Sequence, residues 1–292
     1  MNGELSVVYE ARSPQAVSDR ALVLHSLGIP CEIVNGDFGA ALLVPAEASE
    51  RAKYEIWQYE QENRPSKTKA APVPLPGHKG GLVGVFVYIV VLCVIAWLAG
   101  EFAFGRNWFA AGRVDGELIR QGEWWRATTA LTLHSGIRHL LGNLGFGALF
   151  GFFAGRLLGS GVAWFAIILS ATCANLLNTL LLESAHRSIG ASTAVFAALG
   201  LLAGFVWRSR FMIQDRWPYR LGPIIGGIAL LAYTGTGDEM TDVGAHLTGF
   251  ACGFAGGLIL TVLKTNLENP AIQRLAATAT VVSLALAWIV AL

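Results

Sequence analysis

The stretch Ala245-His246-Leu247-Thr248-Gly249-Phe250-Ala251-Cys252-Gly253-Phe254-Ala255-Gly256-Gly257 is apolar apart from one histidine and one threonine. Glycine recurs at every fourth position from Gly249 to Gly257, which gives a helix a stripe of small residues on one face. An ionisable side chain is costly inside a membrane and is functional there by default. The stretch therefore predicts a closely packed membrane helix that carries His246 into a functional site. A histidine that only fills a packing position is the alternative.

The composition extends this interpretation to the whole chain. Hydrophobic residues make up 54% of the 292 positions and charged residues 14%, which is too apolar for an ordinary soluble protein. The net charge of +1 leaves no basic footprint for nucleic acid, so nucleic-acid binding is set aside. The four cysteines are far apart in the sequence and show no CxxC or Cys/His spacing, so neither a disulfide framework nor a zinc site is indicated. The chain is predicted to be an α-helical polytopic membrane protein.

Seven apolar segments are long enough, or nearly so, to cross a bilayer core of about 30 Å. They are approximately 82–104, 137–157, 160–182, 191–207, 220–236, 242–264 and 271–292. The fourth and fifth segments are short. A short spanning helix either thins the bilayer or begins below the membrane surface, in a cavity.

The first 63 residues follow a different pattern, which predicts a small soluble α+β domain. A strand (6–9), a helix (13–27), two strands (31–34 and 40–44) around the turn signal Asn35-Gly36-Asp37, and a helix (46–60) give a βαββα order. Residues 64–81 are rich in Pro, Gly and Lys and read as a linker. The predicted domains are thus 1–63, the linker 64–81, a membrane core at 82–264, and a last loop and helix at 265–292.

Basic residues near the segment ends predict the orientation, because cytoplasmic loops carry an excess of Lys and Arg. They cluster before the first segment, after the fourth and after the sixth: Arg64, Lys67, Lys69, Lys79, Arg208, Arg210, Arg216, Arg220, Lys264 and Arg274. The N-terminal domain is therefore expected in the cytoplasm. The second, fourth and sixth segments then run in the same direction, with their first residues on the exoplasmic side.

This orientation places three polar positions at one depth. His139 lies near the start of the second segment, Ser192 near the start of the fourth and His246 near the start of the sixth, all within about 10 Å of the outer end at roughly 1.5 Å per residue. A serine with a neighbouring histidine is the arrangement of a nucleophile and its general base. Ser192 alone is weak evidence, since serine is ordinary in membrane helices and bonds back to its own helix.

His139 and Asn143 stand four residues apart, on one face of the second segment. Together with the backbone N–H of Ser192 they could donate hydrogen bonds to an oxyanion. The alternative is that both side chains form interhelical hydrogen bonds that hold the bundle together. Glycines every four residues in the second, fourth and sixth segments allow close helix packing, but they would do so in any tight bundle.

Four motifs in order resemble the rhomboid intramembrane serine proteases over roughly residues 82–264. They are Trp125-Arg126, His139-xxx-Asn143, Gly190-x-Ser192 and Ala245-His246-xx-Gly249-xxx-Gly253. The resemblance implies a six-helix rhomboid core with one further C-terminal helix. It also implies a catalytic Ser192–His246 dyad without an acidic third member, an oxyanion hole formed by His139, Asn143 and the Ser192 N–H, and no cofactor or metal.

The resemblance further implies that the substrates are transmembrane segments of other membrane proteins. They would enter the bilayer-embedded core laterally, near the fifth helix and beneath a cap around 234–243. A bacterial cytoplasmic membrane is the expected location, with the site open to the exoplasmic side. Trp124-Trp125-Arg126 is also readable as an ordinary membrane-surface anchor, His186 as a solvated loop residue and His134 as support for its loop.

The chain departs from the family pattern at two positions. Thr193 follows the predicted nucleophile where the family usually has glycine, and this adds bulk near the expected oxyanion site. Phe196 stands where the family often has a tyrosine, so stacking on His246 is kept and a hydroxyl is lost. The main alternative function is a catalytically inactive rhomboid-like module that binds membrane proteins or takes part in their quality control. A transporter is disfavoured, because the sequence shows no inverted repeat.

Overall fold

The computed structural model describes residues 4–36, 39–63, 77–78, 80–181, 186–211, 217–234, 242–263, 267 and 269–292. The chain divides into two compact units, Met1–Val73 and Pro74–Leu292. Most of the predicted linker and of the predicted cap lies outside the described residues, so the predicted domain limits stay predictions.

The N-terminal unit has the predicted βαββα order. Its elements are β1 Leu5–Ala11, α1 Pro14–Ser26, β2 Glu32–Gly36, β3 Gly39–Pro45 and α2 Ser49–Glu62. The three strands form an antiparallel sheet in the order β1-β3-β2. Alternate residues of β3, including Leu42 and Val44, are fully buried against Val17 and Leu24 of α1. Alternate residues of β3 and one face of α1 therefore pack into one small core, as the periods of a strand and of a helix predict.

The second unit consists of long apolar helices and one structured loop. In chain order its elements are α3 Gly81–Gly100, α4 Trp108–Gly112, β4 Val114–Asp115, α5 Gly116–Arg120, α6 Arg126–Thr129, α7 Ile137–Leu158, α8 Ser160–Leu181, β5 Arg187–Ser188, α9 Ser192–Phe211, α10 Trp217–Thr234, α11 Val243–Val262 and α12 Pro270–Ala291. The long helices begin and end within four residues of the predicted segments.

Six of the described helices are long and apolar enough to cross a membrane: α3, α7, α8, α9, α11 and α12. The predicted fifth segment forms α10, but this helix contains Arg220 and two prolines and lies outside that set. The protein is a helical polytopic membrane protein with a small N-terminal α+β region. A seventh crossing by α10 remains a prediction.

Helix α9 lies at the centre of the second unit, with Ala197, Leu201 and Phe205 fully buried. It packs against α11 almost backbone to backbone. A methyl group added at Gly253 would overlap the Ala197 carbonyl, and one at Gly257 would overlap the Leu201 carbonyl. Because residue numbers rise together along both helices, α9 and α11 run parallel, as the orientation argument predicted.

Helix α12 is attached to the rest of the unit at both ends. Near its start, Gln273 donates from Nε2 to the carbonyls of Leu158 and Leu267 at 2.7 Å and accepts from the Val162 N–H at 3.1 Å. Near its end, the buried Trp288 donates from Nε1 to Thr132 Oγ1 at 3.1 Å. These bonds connect the last helix to the turn between α7 and α8 and to the loop that precedes α7.

Candidate active site

Helices α9 and α11 bring Ser192 and His246 to the same end of one interface. Thr193 faces Gly249 and Ala197 faces Gly253, so the first turn of α9 lies beside the second turn of α11. The rings of Phe196 and His246 contact each other, with their centroids 4.3 Å apart and tilted by 37°. Ser192 lies one turn before Phe196. His246 is buried and Ser192 is half-buried, as a site reached from only one side would require.

Gly190 creates space at the start of α9. Its φ of +133° lies in the left-handed region that favours glycine, and its N–H donates to the Ala130 carbonyl at 2.9 Å. A Cβ at this position would lie 2.7 Å from His139 Nε2 and 3.6 Å from Ser192 Oγ. The missing side chain therefore leaves a space that the ε edge of the His139 ring and the Ser192 hydroxyl both border.

His139 and Asn143 lie together on α7, and both are held locally. The Ser135 hydroxyl lies 3.2 Å from His139 Nδ1, which leaves the ε edge directed at Gly190. The buried Asn143 side chain donates from Nδ2 to the His139 carbonyl at 3.0 Å. An amide nitrogen has two N–H groups, so one donor of Asn143 remains for another acceptor. The backbone carbonyl of Asn143 accepts a hydrogen bond from the Tyr88 hydroxyl at 2.7 Å, which fixes this turn of α7 against α3.

His134 belongs to this group of residues, although the sequence suggested only support for its loop. It is buried, its Nε2 accepts from the Ala191 N–H at 3.4 Å, and its ring lies 5.1 Å from that of His139. Burial, helped by the nearby His139 and partly offset by a hydrogen bond with the Thr132 backbone, lowers the pKa of His134 to about 4. The ring is therefore neutral at physiological pH, which an acceptor of a backbone N–H requires.

His186 is not the solvated loop residue that was expected. Its Nε2 lies 2.8 Å from Asp242 Oδ2, and the Asp242 carboxylate also accepts from the Ala245 N–H at 2.9 Å, which makes it the N-cap of α11. Asn178 of α8 lies 3.4 Å from the same carboxylate. His186 does lie in a loop, but no sequence pattern indicated its contact because Asp242 lies 56 residues away. The contact connects the segment before Ser192 to the helix that carries His246.

The segment that leads into Ser192 is also attached to the loop between α3 and α7. β4 and β5 pair Val114 with Ser188 and Asp115 with Arg187, and the Asp115 carboxylate accepts from Arg187 Nε at 2.9 Å. Burial raises the pKa of Asp115, but the hydrogen bonds from Arg187 and the Leu118 N–H, with the charges of Arg187 and Arg113, lower it further, so the net shift is downward. Asp115 is therefore ionised at neutral pH and stabilises this segment.

The interpretation of Trp124-Trp125-Arg126 as a membrane-surface anchor was wrong for Arg126. The arginine is buried, pairs with Glu123 Oε2 at 2.6 Å and donates from Nη1 to the Ala110 carbonyl at 2.8 Å. A buried guanidinium needs such partners, and here they cross-link the short helices of the loop. Trp125 is half-buried beside it, while Trp124 is exposed. Arg126 thus organises the loop that ends at His134.

A small cavity of about 10 Å³ lies beside Ser192, which is the space of roughly one water molecule. Its walls include Gly190, Ser192, Thr193, Asn175 and Asp242. Thr193 itself is buried with its methyl group toward Gly249, so much of its bulk faces α11. Among the described residues, no group of three or more His, Cys, Asp or Glu side chains is placed to hold a metal ion.

Comparison with known proteins identifies a domain in this part of the chain. Residues 121–262 match the family model described as the Rhomboid domain. The chain is 30% identical over 145 residues to Rhomboid-like protease 1 of Toxoplasma gondii, which covers 49% of each chain. It is 29% identical over 152 residues to RHOMBOID-like protein 7 of Arabidopsis thaliana, covering 50% of this chain and 46% of that one.

A third relative is Rhomboid protease GluP of Bacillus subtilis, which is 39% identical over 93 residues, covering 32% of this chain and 18% of the relative. The chain thus spans about half the length, or less, of the curated relatives that it matches. The matched domain contains α7, α8, α9 and α11, and with them Ser192, His246, His139 and Asn143. Residues 121–262 therefore form a domain of the rhomboid family.

Proposed function

We propose that this protein is an intramembrane serine endopeptidase that cleaves transmembrane segments of other membrane proteins, with Ser192 as nucleophile and His246 as general base. The observation that carries the proposal is the packing of α9 on α11. It sets the Phe196 ring against His246 at 4.3 Å, and Ser192 lies one turn earlier on the same helix. This contact supports the assignment of His246 as the base that serves Ser192.

The proposed reaction uses the dyad twice. His246 takes the proton of the Ser192 hydroxyl while Oγ forms a bond to the carbonyl carbon of the scissile peptide. The resulting imidazolium then gives its proton to the departing amine nitrogen, and the C–N bond breaks. Water, deprotonated by His246, hydrolyses the acyl-enzyme and restores the serine hydroxyl. The half-buried Ser192 and the water-sized cavity beside it support access of water to this position.

We assign the oxyanion hole to the Ser192 N–H, His139 and Asn143. Ser192 is the first residue of α9, where a backbone N–H has no acceptor within the helix and the helix dipole favours negative charge. The neighbouring Ala191 N–H is already bonded to His134. His139 approaches from the other side of Gly190, and the bond to the His139 carbonyl uses only one of the two N–H groups of Asn143. One such donor typically contributes about 3 kcal/mol to the transition state.

The supporting residues act by position. Gly190 leaves the space between His139 and Ser192, Gly249 lets α11 approach Thr193, and Phe196 stacks on His246. Trp125 and Arg126 stabilise the loop that ends at His134. None of them needs to touch the reacting atoms.

The proposed partners are the bilayer and transmembrane helices of substrate proteins. We place the protein in a bacterial cytoplasmic membrane, with the N-terminal domain in the cytoplasm and the site open to the exoplasmic side. The distribution of Lys and Arg in the sequence supports this orientation. The protease names of relatives such as Rhomboid protease GluP support the activity.

Cleavage of a labelled transmembrane substrate by the reconstituted full-length protein tests the proposal. Ser192→Ala and His246→Ala should each abolish cleavage, while Ser170→Ala, which alters a buried serine of α8, and His78→Ala should retain it. A fluorophosphonate should label Ser192 in the wild type and lose the label in Ser192→Ala. Full cleavage by either dyad variant contradicts the assignment. A folded protein that is neither labelled nor active would instead favour the inactive binding module.

A further inference from the structure

An apolar groove with a volume of about 490 Å³ runs between α3 and α12 and reaches the start of α9. α3 packs on α7 and α8, and α12 packs on α8, so that Trp164 and Ile168 of α8 form the floor of the groove. The Trp164 ring stacks on Tyr88 at 4.9 Å and stiffens this floor. Most of its lining belongs to α3, α8 and α12, which are able to cross a membrane, and Trp108, Leu131 and Thr132 of the loop before α7 line one end.

The dimensions of the groove fit one acyl chain. Its volume of about 490 Å³ lies within the range of roughly 300–1,000 Å³ that ligand pockets span. Its walls extend from Val83 to Ile95 on α3 and from Ala277 to Trp288 on α12. At about 1.5 Å per residue this is about 18 Å, close to the depth of one leaflet of a bilayer core that is about 30 Å thick.

A charged group lies at one end of the groove. Arg274 precedes Ala277 by three residues and Val281 by seven, so it is on the same helical stripe of α12 that lines the groove. It is exposed, and within the described residues it has no carboxylate at ion-pair distance. Arg156 of α7 is also exposed and packs beside Gly81, at the same end of α3.

We propose that this groove binds one acyl chain of an anionic phospholipid, with the lipid phosphate held by Arg274 and supported by Arg156. Lipid tails are as apolar as the groove, so burial alone would not retain one chain in preference to another. Selectivity must come from shape and from the headgroup, and basic residues at a membrane surface attract anionic lipids. A phosphate accepts hydrogen bonds from a guanidinium with good geometry, which suits Arg274 to this role.

The groove also reaches the region of Ser192. Ala191 and Ala194, on either side of Ser192 in sequence, line its inner wall, and Thr132 and Trp288 line its far end. A chain in the groove would fill the space behind the first turn of α9, on the face away from His246. The lipid would therefore stabilise the helix start that presents Ser192, whether or not the protein cleaves substrates.

Native mass spectrometry of the full-length protein in mild detergent, exchanged with 1-palmitoyl-2-oleoyl-phosphatidylglycerol, tests the proposal. Two neighbouring valines offer a matched pair, because Val281 lines the groove and Val282 is similarly exposed outside it. Val281→Trp should lose most of the single retained lipid, and Val282→Trp should keep it. If Val281→Trp does not fold, Ala285→Phe blocks the same space.

The charge is tested separately. Arg274→Gln should reduce the preference for phosphatidylglycerol over phosphatidylcholine by roughly fivefold, whereas Arg138→Gln, at the start of α7, should not. Equal lipid retention by both tryptophan variants overturns the proposal. So does an unchanged lipid preference in Arg274→Gln. The proposal is also overturned if the groove retains only detergent. The same holds if the groove binds a transmembrane peptide while Val281→Trp leaves lipid retention unchanged.

Discussion

His186 Nε2 lies 2.8 Å from Asp242 Oδ2, which joins the segment before Ser192 to the N-cap of α11. Ser192 follows this contact by six residues on one side and His246 by four on the other. The two residues of the proposed dyad are therefore positioned from a common point outside their own helices. Glycine packing sets the distance between α9 and α11, and this contact sets where each helix begins.

A double-mutant cycle should reveal this coupling. Asp242→Asn keeps an N-cap side chain but removes the charge, and His186→Ala removes its partner. We expect each single variant to lower both stability and cleavage, and the pair to show an interaction free energy of about 1 kcal/mol in denaturant titrations of the detergent-solubilised protein. His78→Ala provides the background value for a histidine outside this contact. Strictly additive effects would mean that the contact does not couple the helices.

Glycine substitutions should have opposite effects at two helical positions. A methyl group at Gly253 would overlap the Ala197 carbonyl, whereas one at Gly142 has no neighbour within 4 Å. Gly253→Ala should therefore separate α9 from α11 and lower the free energy of unfolding by about 1–3 kcal/mol. It should also abolish cleavage. Gly142→Ala should raise the melting temperature slightly, because alanine favours a helix by up to about 1 kcal/mol. A thermal shift assay compares them, and equal melting temperatures would contradict the packing argument.

The helices could be predicted from the sequence because length and apolar composition alone identify membrane segments. The stacking of Phe196 on His246 was also predicted, because the chain resembles a family in which an aromatic residue at this position stacks on the catalytic histidine. The contact of His186 with Asp242 and that of His134 with Ala191 were not. These residues lie 56 and 57 positions apart in irregular segments, where no period links a polar side chain to its partner.

The last helix should contribute to the stability of the loop that precedes α7. Trp288 donates to Thr132 Oγ1 at 3.1 Å, and its ring lies 4.7 Å from that of Trp108. Trp288→Phe keeps an aromatic ring but removes the donor, so the buried Thr132 hydroxyl has one partner fewer. We expect the free energy of unfolding to fall by about 1–3 kcal/mol. Thr132→Val removes the same bond together with the one that Thr132 Oγ1 donates to the Thr129 carbonyl at 2.8 Å, so the losses of the two variants should be less than additive in the double variant. Trp97→Phe, at an exposed position of α3, is the control and should change the unfolding midpoint by much less.

Acid should weaken the protein through His134. Its pKa is about 4 in the folded protein and about 6.5 when exposed, so between these values the unfolded state binds more protons and stability falls as the pH decreases. Across this window the free energy of unfolding should fall by about 3 kcal/mol in total. His134→Gln keeps a side-chain acceptor for the Ala191 N–H but does not titrate. Its stability relative to the wild type should therefore increase as the pH falls from 6.5 to 4. Unfolding midpoints of both proteins, measured at each pH, give the difference in stability between them. Parallel curves for the two proteins would show that His134 does not carry this pH dependence.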